Sequence, residues 1–267
     1  MTRQGQAGIV LLGAIITLAV VGPMLATDPN VQPDLLRGTL LPPSTTNWLG
    51  TDQYSRDVLA RLAWGARTSL IVAMIAVSVA TTIGIAIGLA AGRPDGWVAA
   101  LLRRAIDVTL AVPRVLVLLI LLAALGTLPI PVFALLLGLV GWAGIARLVR
   151  GESLRLRNAQ YVVASRALGA TPARVLWREI LPGTLGAVQV AATLSLADVI
   201  LLEAGLSFLG MGVRPPAPSW GGMLIESQPY LGSAPWLIMP PIVALIAATS
   251  AATLIGASLR QSTPVSR

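Results

Sequence analysis

Six long apolar runs alternate with polar stretches along the chain. The runs cover residues 7–26, 68–91, 105–125, 129–147, 185–208 and 235–259. Each run is roughly 20 residues long, which is the length of helix that crosses a hydrocarbon core about 30 Å thick. The pattern therefore predicts an all-α integral membrane protein, built as a bundle of six transmembrane helices.

The polar stretches divide this predicted bundle into three parts. The first part, 1–66, holds the first span and the polar segment after it, and the second, 67–260, holds spans two to six. The third part is a short tail at 261–267. The first run is longer than the apolar region of a secretory signal peptide, so we expect it to remain as a span.

Arginine is distributed unevenly between the two sides of the bundle. If the N-terminus is cytoplasmic, thirteen arginines lie on the cytoplasmic side, five lie on the outer side, and Arg114 lies within span three. Basic residues accumulate in the cytoplasmic loops of membrane proteins. Both termini and the arginine-rich stretch 148–184 are therefore predicted to be cytoplasmic, and the stretches 27–67 and 209–234 external.

Composition supports a membrane protein and excludes several kinds of chemistry. Hydrophobic residues make up 55% of the chain against 11% charged, and the mean hydropathy is +0.81. All 19 basic residues are arginine, and the chain has no lysine, histidine or cysteine. These absences exclude a histidine or cysteine catalyst, a histidine or cysteine metal site, and a P-loop with its lysine.

The net charge of +8 could suggest nucleic acid as a partner. That interpretation needs a basic face on a soluble fold, whereas these arginines lie between apolar spans and are explained by membrane topology. We therefore expect membrane lipid and no nucleic acid around this chain.

Glycines recur every four residues in span two, at Gly84, Gly88 and Gly92. This spacing places them along one helix face, where small residues let helix backbones approach closely. Gly138, Gly141 and Gly144 add small surface to span four. We expect these spans to pack tightly within the bundle.

The stretch 148–184 predicts a helical hairpin outside the membrane. A helix from about residue 158 can end at Gly169, a residue that readily adopts the left-handed conformation after a helix. Thr171 then caps a second helix with Pro172 in its first turn and Pro182 near its end. Val175, Leu176 and Ile180 fall on one apolar stripe of this second arm. A protein groove or a membrane surface would each explain that stripe.

This stretch resembles the EAA loop of ATP-binding-cassette importer permeases. The matching positions are Val163, Ala164 and Ser165, then Gly169, then the Leu-Pro pair that ends at Pro182. The family's glutamate is replaced by Val163 and its second alanine by Ser165, whereas the spacing of 13 residues from the glycine to the proline is kept.

The resemblance implies that the hairpin is a coupling helix between spans four and five that contacts separate ATPase subunits. ATP and Mg would then be bound by those subunits, with no cofactor and no catalytic residue in this chain. The residues implied to contact the ATPase are Tyr161, Val163, Ala164, Ser165, Ala167, Leu168, Gly169, Ala170, Thr171 and Pro172.

Two further stretches resemble the dipeptide, oligopeptide and nickel branch of these permeases. The first reads WLGTDQ at 48–53 followed by SRDVLARL at 55–62, and the second reads LEAGLSFLGMG at 202–212 followed by PSWG at 218–221. The likeness implies a second, homologous permease subunit and an extracytoplasmic solute-binding protein as partners. It also implies a bacterial cytoplasmic (inner) membrane location and peptide cargo, with nickel or another small solute as the alternative.

Ionisable residues within the spans are candidates for a transport pathway. Asp107 and Arg114 are seven residues apart in span three, which predicts one shared helix face. For Arg114 and Asp198, contact with a substrate in the pathway and a fixed ion pair between helices are both open. For Glu203, a structural role is favoured over a substrate contact.

Two other classes of protein share some of these features. A secondary transporter also places charges in its spans, but it is expected to contain inverted repeats, and the sequence has no clear repeat. A membrane enzyme would need converging polar catalytic groups, and Ser195 with Asp198 gives only weak support for such a site. The sequence is therefore predicted to be that of an importer permease.

Overall fold

The structure is a computed structural model that describes residues 3–94 and 96–262. Within these residues, five helices are long and apolar enough to cross a membrane. Two shorter helices, Trp97–Ala111 and Arg114–Leu125, are bent by 84° relative to each other and form a sixth crossing when they are taken as one span. The predicted all-α membrane fold is confirmed, with span three interrupted.

The helices are numbered in chain order. They are α1 (Arg3–Val20), α2 (Gly22–Leu25), α3 (Val58–Ala91), α4 (Trp97–Ala111), α5 (Arg114–Leu125), α6 (Ile130–Arg157), α7 (Gln160–Ala167), α8 (Pro172–Val175), α9 (Leu181–Phe208), α10 (Trp220–Ser227) and α11 (Met239–Ser262). A π-helical turn, Leu176–Ile180, joins α8 to α9. Residues 263–267 of the predicted tail lie outside the described residues.

Helices α3 and α6 pack side by side through glycine. A Cβ atom added at Gly84 would lie 2.8 Å from the Cβ of Ile145, and one at Gly88 would lie 2.7 Å from the Cβ of Val149. From the α6 side, a Cβ at Gly138 would lie 2.7 Å from the carbonyl oxygen of Ala76. These backbones meet more closely than any side chain allows, as the glycine spacing predicted.

Helix α9 packs against α3 and α11, and α1 packs against α11 and α3. The shared core is apolar and includes Val72, Leu137, Ile200 and Leu245. Close approach again depends on glycine, because a Cβ at Gly8 of α1 would lie 3.0 Å from the Cβ of Leu254. The bundle is therefore centred on α3, with α6 and α9 against it.

Two helices continue beyond their apolar runs. Helix α3 begins at Val58, ten residues before the predicted start at 68, because the side chain of Asp57 accepts hydrogen bonds from the backbone N–H groups of Leu59 and Ala60 at 3.2 and 3.3 Å. Helix α6 continues to Arg157, ten residues after the predicted end at 147. Charged residues in these turns hid the helix from a search for apolar runs.

The prediction that Asp107 and Arg114 share one helix face is wrong. Helix α4 ends at Ala111 and α5 begins at Arg114, because Pro113 has no N–H to continue the helix and forces Val112 into an extended conformation. Asp107 instead forms an exposed ion pair with Arg147 of α6 at 3.1 Å.

The hairpin turn has the predicted form. Helix α7 ends before Gly169, whose φ is +87°, and the Thr171 side chain accepts a hydrogen bond from the backbone N–H of Arg174 at 3.3 Å. Pro172 occupies the first turn of α8. The structure therefore confirms the turn and the cap of the second arm.

The second arm does not end near Pro182 as predicted. Residues Pro172–Phe208 form one continuous helical segment of 37 residues, and Pro182 lies in the first turn of α9. In the π turn, the backbone N–H of Leu181 donates a hydrogen bond to the carbonyl oxygen of Leu176, five residues earlier. Pro182 follows this turn and has no N–H, so it leaves no donor unpaired. The arm is therefore the beginning of span five.

The apolar stripe of the second arm packs on the chain's own helices. Val175 and Ile180 are fully buried in a cluster with Leu89 of α3 and Val149 of α6. Neither of the two environments considered from the sequence, a partner's groove or a membrane surface, is needed to explain the stripe. The stripe fixes the hairpin to the ends of α3 and α6.

Replacing Gly88 by valine is expected to destabilise the bundle by about 1–3 kcal/mol, the usual cost of overpacking. The reason is the 2.7 Å approach to Val149. Gly13→Val is the matched control, because a Cβ at Gly13 of α1 meets nothing within 4 Å. Thermal unfolding of the purified protein in detergent measures both, and equal midpoints would contradict the packing described.

Candidate functional site

The hairpin presents an exposed surface at one end of the bundle. Eight of the ten residues predicted to contact a partner are exposed, and Ser165 and Ala170 are half-buried. Leu168 is the extreme case at 90% exposure, and Tyr161 and Val163 are each 53% exposed. A leucine this exposed on a compact turn has no internal packing role, so the surface is suited to a partner protein.

The two arms of the hairpin are held together internally. The Ser165 hydroxyl donates a hydrogen bond to Glu179 at 2.5 Å, across the turn. Val162, on the inner face of α7, is fully buried in the same cluster as Val175 and Ile180. Glu179 was not singled out from the sequence, because only the folded turn brings it beside Ser165.

Arg114 and Asp198 line the same two cavities between spans. One cavity, of about 510 Å³, lies along α5 and α9, and the other, of about 350 Å³, lies where α4 meets α5 and faces α6. Ser195, three residues before Asp198 on α9, lines the second cavity, as do Gly141 and Gly144 of α6. The fold thus brings together two of the three predicted pathway residues.

The position of Asp198 indicates which face of span five meets water. Asp198 is exposed in this chain and lies ten residues before the end of α9 at Phe208, a rise of about 15 Å along the helix. An ionisable side chain at that depth faces the bundle interior or a water-filled cavity rather than lipid. The face that carries Asp198 is therefore the candidate pathway wall.

Glu203 has a different environment and lines neither cavity. It is fully buried, and its carboxylate accepts hydrogen bonds from the hydroxyls of Ser69 at 2.9 Å and Ser207 at 2.7 Å. Ser69 in turn accepts from the backbone N–H of Trp220 at 3.4 Å. Glu203 therefore joins α3, α9 and α10, which supports the structural role and not the pathway role.

A buried charge cluster joins the segment before α3 to α10. Arg56 contacts Asp52 at 2.6 Å and Glu226 at 2.8 Å, and Arg61 contacts Glu226 at 2.9 Å. Arg61 is only 2% exposed. No local pattern in the sequence predicts this cluster, because Glu226 is 170 residues from Arg56.

These features define a class of protein: a polytopic membrane protein with charged residues lining cavities between its spans and an exposed helical hairpin at one end. The chain belongs to the family of binding-protein-dependent transport system inner membrane components, which matches residues 84–262. That range starts within α3 and includes the hairpin and both cavities. The family predicted from the hairpin motif is confirmed.

Several curated relatives resemble nearly the whole chain. The dipeptide transport system permease protein DppC of Bacillus subtilis (strain 168) is 37% identical over 234 residues, which cover 88% of this chain and 72% of the relative. The DppC protein of Alkalihalophilus pseudofirmus is 34% identical, with 95% and 83% covered. The oligopeptide transport system permease protein OppC of B. subtilis is 33% identical, with 90% and 78% covered.

A solved structure shares the fold. It is an inward-facing conformation of the MetNI methionine ABC transporter, with a TM-score of 0.63 and 21% identity. The match covers 76% of this chain and 97% of that chain. At this identity the likeness concerns the arrangement of helices alone.

Glu226→Ala is expected to destabilise the protein by about 3 kcal/mol, because it removes the closer of the two carboxylates that pair with the buried Arg61 and leaves only Asp52, at 3.6 Å. The value lies at the lower end of the usual range since the Glu226 side chain is 18% exposed. Glu152→Ala removes a surface pair with Arg155 and should cost less than about 1 kcal/mol. Unfolding midpoints in detergent measure both, and similar losses would contradict a stabilising role for the cluster.

Ser195→Cys is expected to react with a charged, membrane-impermeant thiosulfonate reagent in the assembled transporter, because the reactive thiolate forms in water and not in lipid. The chain has no native cysteine, so the introduced thiol is its only one. Ile246→Cys, at an exposed apolar position of α11, is the control. Its labelling should be about tenfold slower, and equal rates at the two sites would contradict a water-filled cavity.

Proposed function

We propose that this chain is the permease subunit of an ATP-driven peptide importer and forms half of its membrane pathway. The observation that carries this proposal is the continuity of the hairpin with the cavity wall. The exposed turn at Gly169 leads into the segment Pro172–Phe208, and that segment carries Asp198. The dipeptide and oligopeptide names of the relatives support peptides as cargo.

The hairpin is the docking element for cytoplasmic ATPase subunits. Tyr161, Val163 and Leu168 offer exposed apolar surface there. Since Val163 stands where the family motif has glutamate, we expect the contact at this point to depend on apolar burial rather than on an ion pair. ATP and Mg bind to the partner subunits, and this chain carries no catalytic residue of its own.

Movement of the docked turn is transmitted along span five. Val175 and Ile180 are buried against α3 and α6, and Ser165 is bonded to Glu179. The hairpin therefore moves together with the ends of these helices when the ATPase subunits close. A rigid helix converts that movement into a change of position of the cavity face.

A second, homologous permease subunit covers the cavity face. Asp198 is exposed in this chain at a depth where lipid contact would be costly. A partner that encloses the cavities would place Asp198 and Arg114 on a shared aqueous path. The pathway residues in this proposal are Arg114 and Asp198. Glu203 is not one of them.

The opposite end of the bundle receives a solute-binding protein. The segment between α2 and α3 and the segment around α10 are joined there by the cluster of Arg56, Arg61, Asp52 and Glu226. The cluster gives these loops a fixed shape. With both termini and the hairpin in the cytoplasm, as the arginine distribution predicts, this face lies outside the cytoplasmic membrane of a bacterium.

Leu168→Ala is expected to weaken binding of the ATPase subunits about tenfold or more, because it removes the most exposed apolar side chain of the turn. Co-purification of the ATPase subunits with the tagged permease measures the effect. Gly169→Asp should abolish co-purification, since φ at that position is +87° and a side chain strains the turn.

Leu36→Ala is the matched control, because Leu36 is 94% exposed in the segment at the other end of α3. It should leave co-purification unchanged. An unaffected complex in both hairpin variants would contradict the assignment of the docking surface. Transport that persists without any ATPase subunit would contradict the importer and favour a secondary transporter.

A further inference from the structure

Two opposite charges face one cavity from different helices. Arg114 is the first residue of α5, and Asp198 lies ten residues before the end of α9. Both line the 510 Å³ cavity and the 350 Å³ cavity. The ion pairs between described residues do not join Arg114 to Asp198.

The Arg114 side chain has room to reach into the cavity. A Cβ at Gly141 of α6 would lie 3.6 Å from a guanidinium nitrogen of Arg114. The guanidinium therefore extends across the glycine, toward the wall formed by α6. At Gly144, one turn further along α6, a Cβ would meet nothing within 4 Å, so the space continues along this wall.

The break in span three adds a second polar feature to the same cavity. Its lining includes Thr109 and Leu110 from the last turn of α4, and Val112 and Pro113 from the break itself. The last carbonyl groups of a helix favour a cation, and the first N–H groups favour an anion. Interrupted membrane helices place both kinds of group beside a substrate near the bilayer midplane.

These features match the chemistry of a short peptide. A peptide with free ends carries one ammonium and one carboxylate, and both must leave water to cross a hydrocarbon layer. A guanidinium binds a carboxylate through two parallel hydrogen bonds, and a carboxylate accepts from an ammonium. A cavity of about 350 Å³ falls within the usual size range for small-molecule sites.

We propose that Arg114 and Asp198 form a binding site for the charged ends of a peptide within the membrane. Arg114 binds the carboxylate beside the start of α5, and Asp198 binds the ammonium, with Ser195 as a neighbouring hydroxyl. This inference rests on the proposed peptide import and adds the residues that recognise the cargo inside the span region.

The test compares three probes in liposomes that contain the complete transporter, with loaded solute-binding protein at saturation. The probes are dialanine, N-acetyl-dialanine and dialanine amide. Arg114→Gln should slow transport of dialanine about tenfold while leaving the amide nearly unchanged, because the amide has no carboxylate to lose a partner. Asp198→Asn should also slow transport of dialanine about tenfold while leaving N-acetyl-dialanine nearly unchanged, because the acetylated probe has no ammonium to lose a partner.

Asp107→Asn is the matched control, because it also converts an acid in span three into an amide but lies in the exposed pair with Arg147. All three probes should be transported as in the unaltered protein. The affinity of the solute-binding protein for each probe is measured separately, so that rates refer to passage through the permease.

Three results would overturn the site. Equal slowing of all three probes in either variant would indicate a general role in folding or gating. A fixed ion pair would be indicated if both single variants had lowered unfolding midpoints and the double variant Arg114→Asp, Asp198→Arg restored transport. Unchanged transport in both variants would exclude contact with cargo.

Failure of this inference is distinguishable from failure of the proposed function. ATPase subunits should co-purify with Arg114→Gln and Asp198→Asn as they do with the unaltered chain, because neither residue lies on the hairpin. If the unaltered transporter does not move dialanine at all, the peptide cargo is contradicted and this site with it.

Discussion

A hydrocarbon layer offers no partner to a charged group, and the placement of charges in this protein follows from that constraint. Glu203 is buried within span five and is satisfied by the hydroxyls of Ser69 and Ser207. Asp198, on the same helix, is exposed and faces a cavity instead. Helix α9 therefore carries two carboxylates in different environments. Glu203 joins neighbouring helices, and Asp198 lies on the face directed to the cavity.

Close packing at glycine is the feature on which the proposed transmission of movement depends. Helices α3 and α6 meet at Gly84, Gly88 and Gly138 so closely that they behave as one unit, because a packed interface does not deform continuously. The hairpin is joined to that unit by Val175 and Ile180. Its second arm then continues as span five to the cavity. In the proposed function, movement of the turn reaches the face that carries Asp198 along this continuous segment.

Much of this architecture could be predicted from the sequence, because apolar length and glycine spacing are local signals. The spans, the close packing at the glycines of spans two and four, and the turn at Gly169 were predicted from such patterns, whereas the pairing of α3 with α6 was not. The early start of α3 was missed because Arg61 and Arg67 interrupt the apolar run, although the fold buries Arg61 against Glu226. Pairing over 165 residues leaves no trace in the local pattern.

The bend in span three and the continuity of span five were missed for another reason. Pro113 and Pro182 are both prolines in helical surroundings, but the first breaks its helix and the second is accommodated after a π turn. The outcome depends on the packing around each, which the sequence alone does not specify. The cavity beside Arg114 exists because of the first outcome, and the continuous helical segment from the hairpin to the cavity exists because of the second.

The most direct measurement is a spin-label distance within this chain of the assembled transporter. Labels at Ala173→Cys and Leu201→Cys lie on one continuous helical segment, about 42 Å apart along the axis, and the chain has no other cysteine. We predict that this distance stays within about 2 Å of its resting value when ATP binds, while the distance from residue 201 to the companion permease changes. A change of about 5 Å or more within the chain, one helical turn, would contradict a rigid lever.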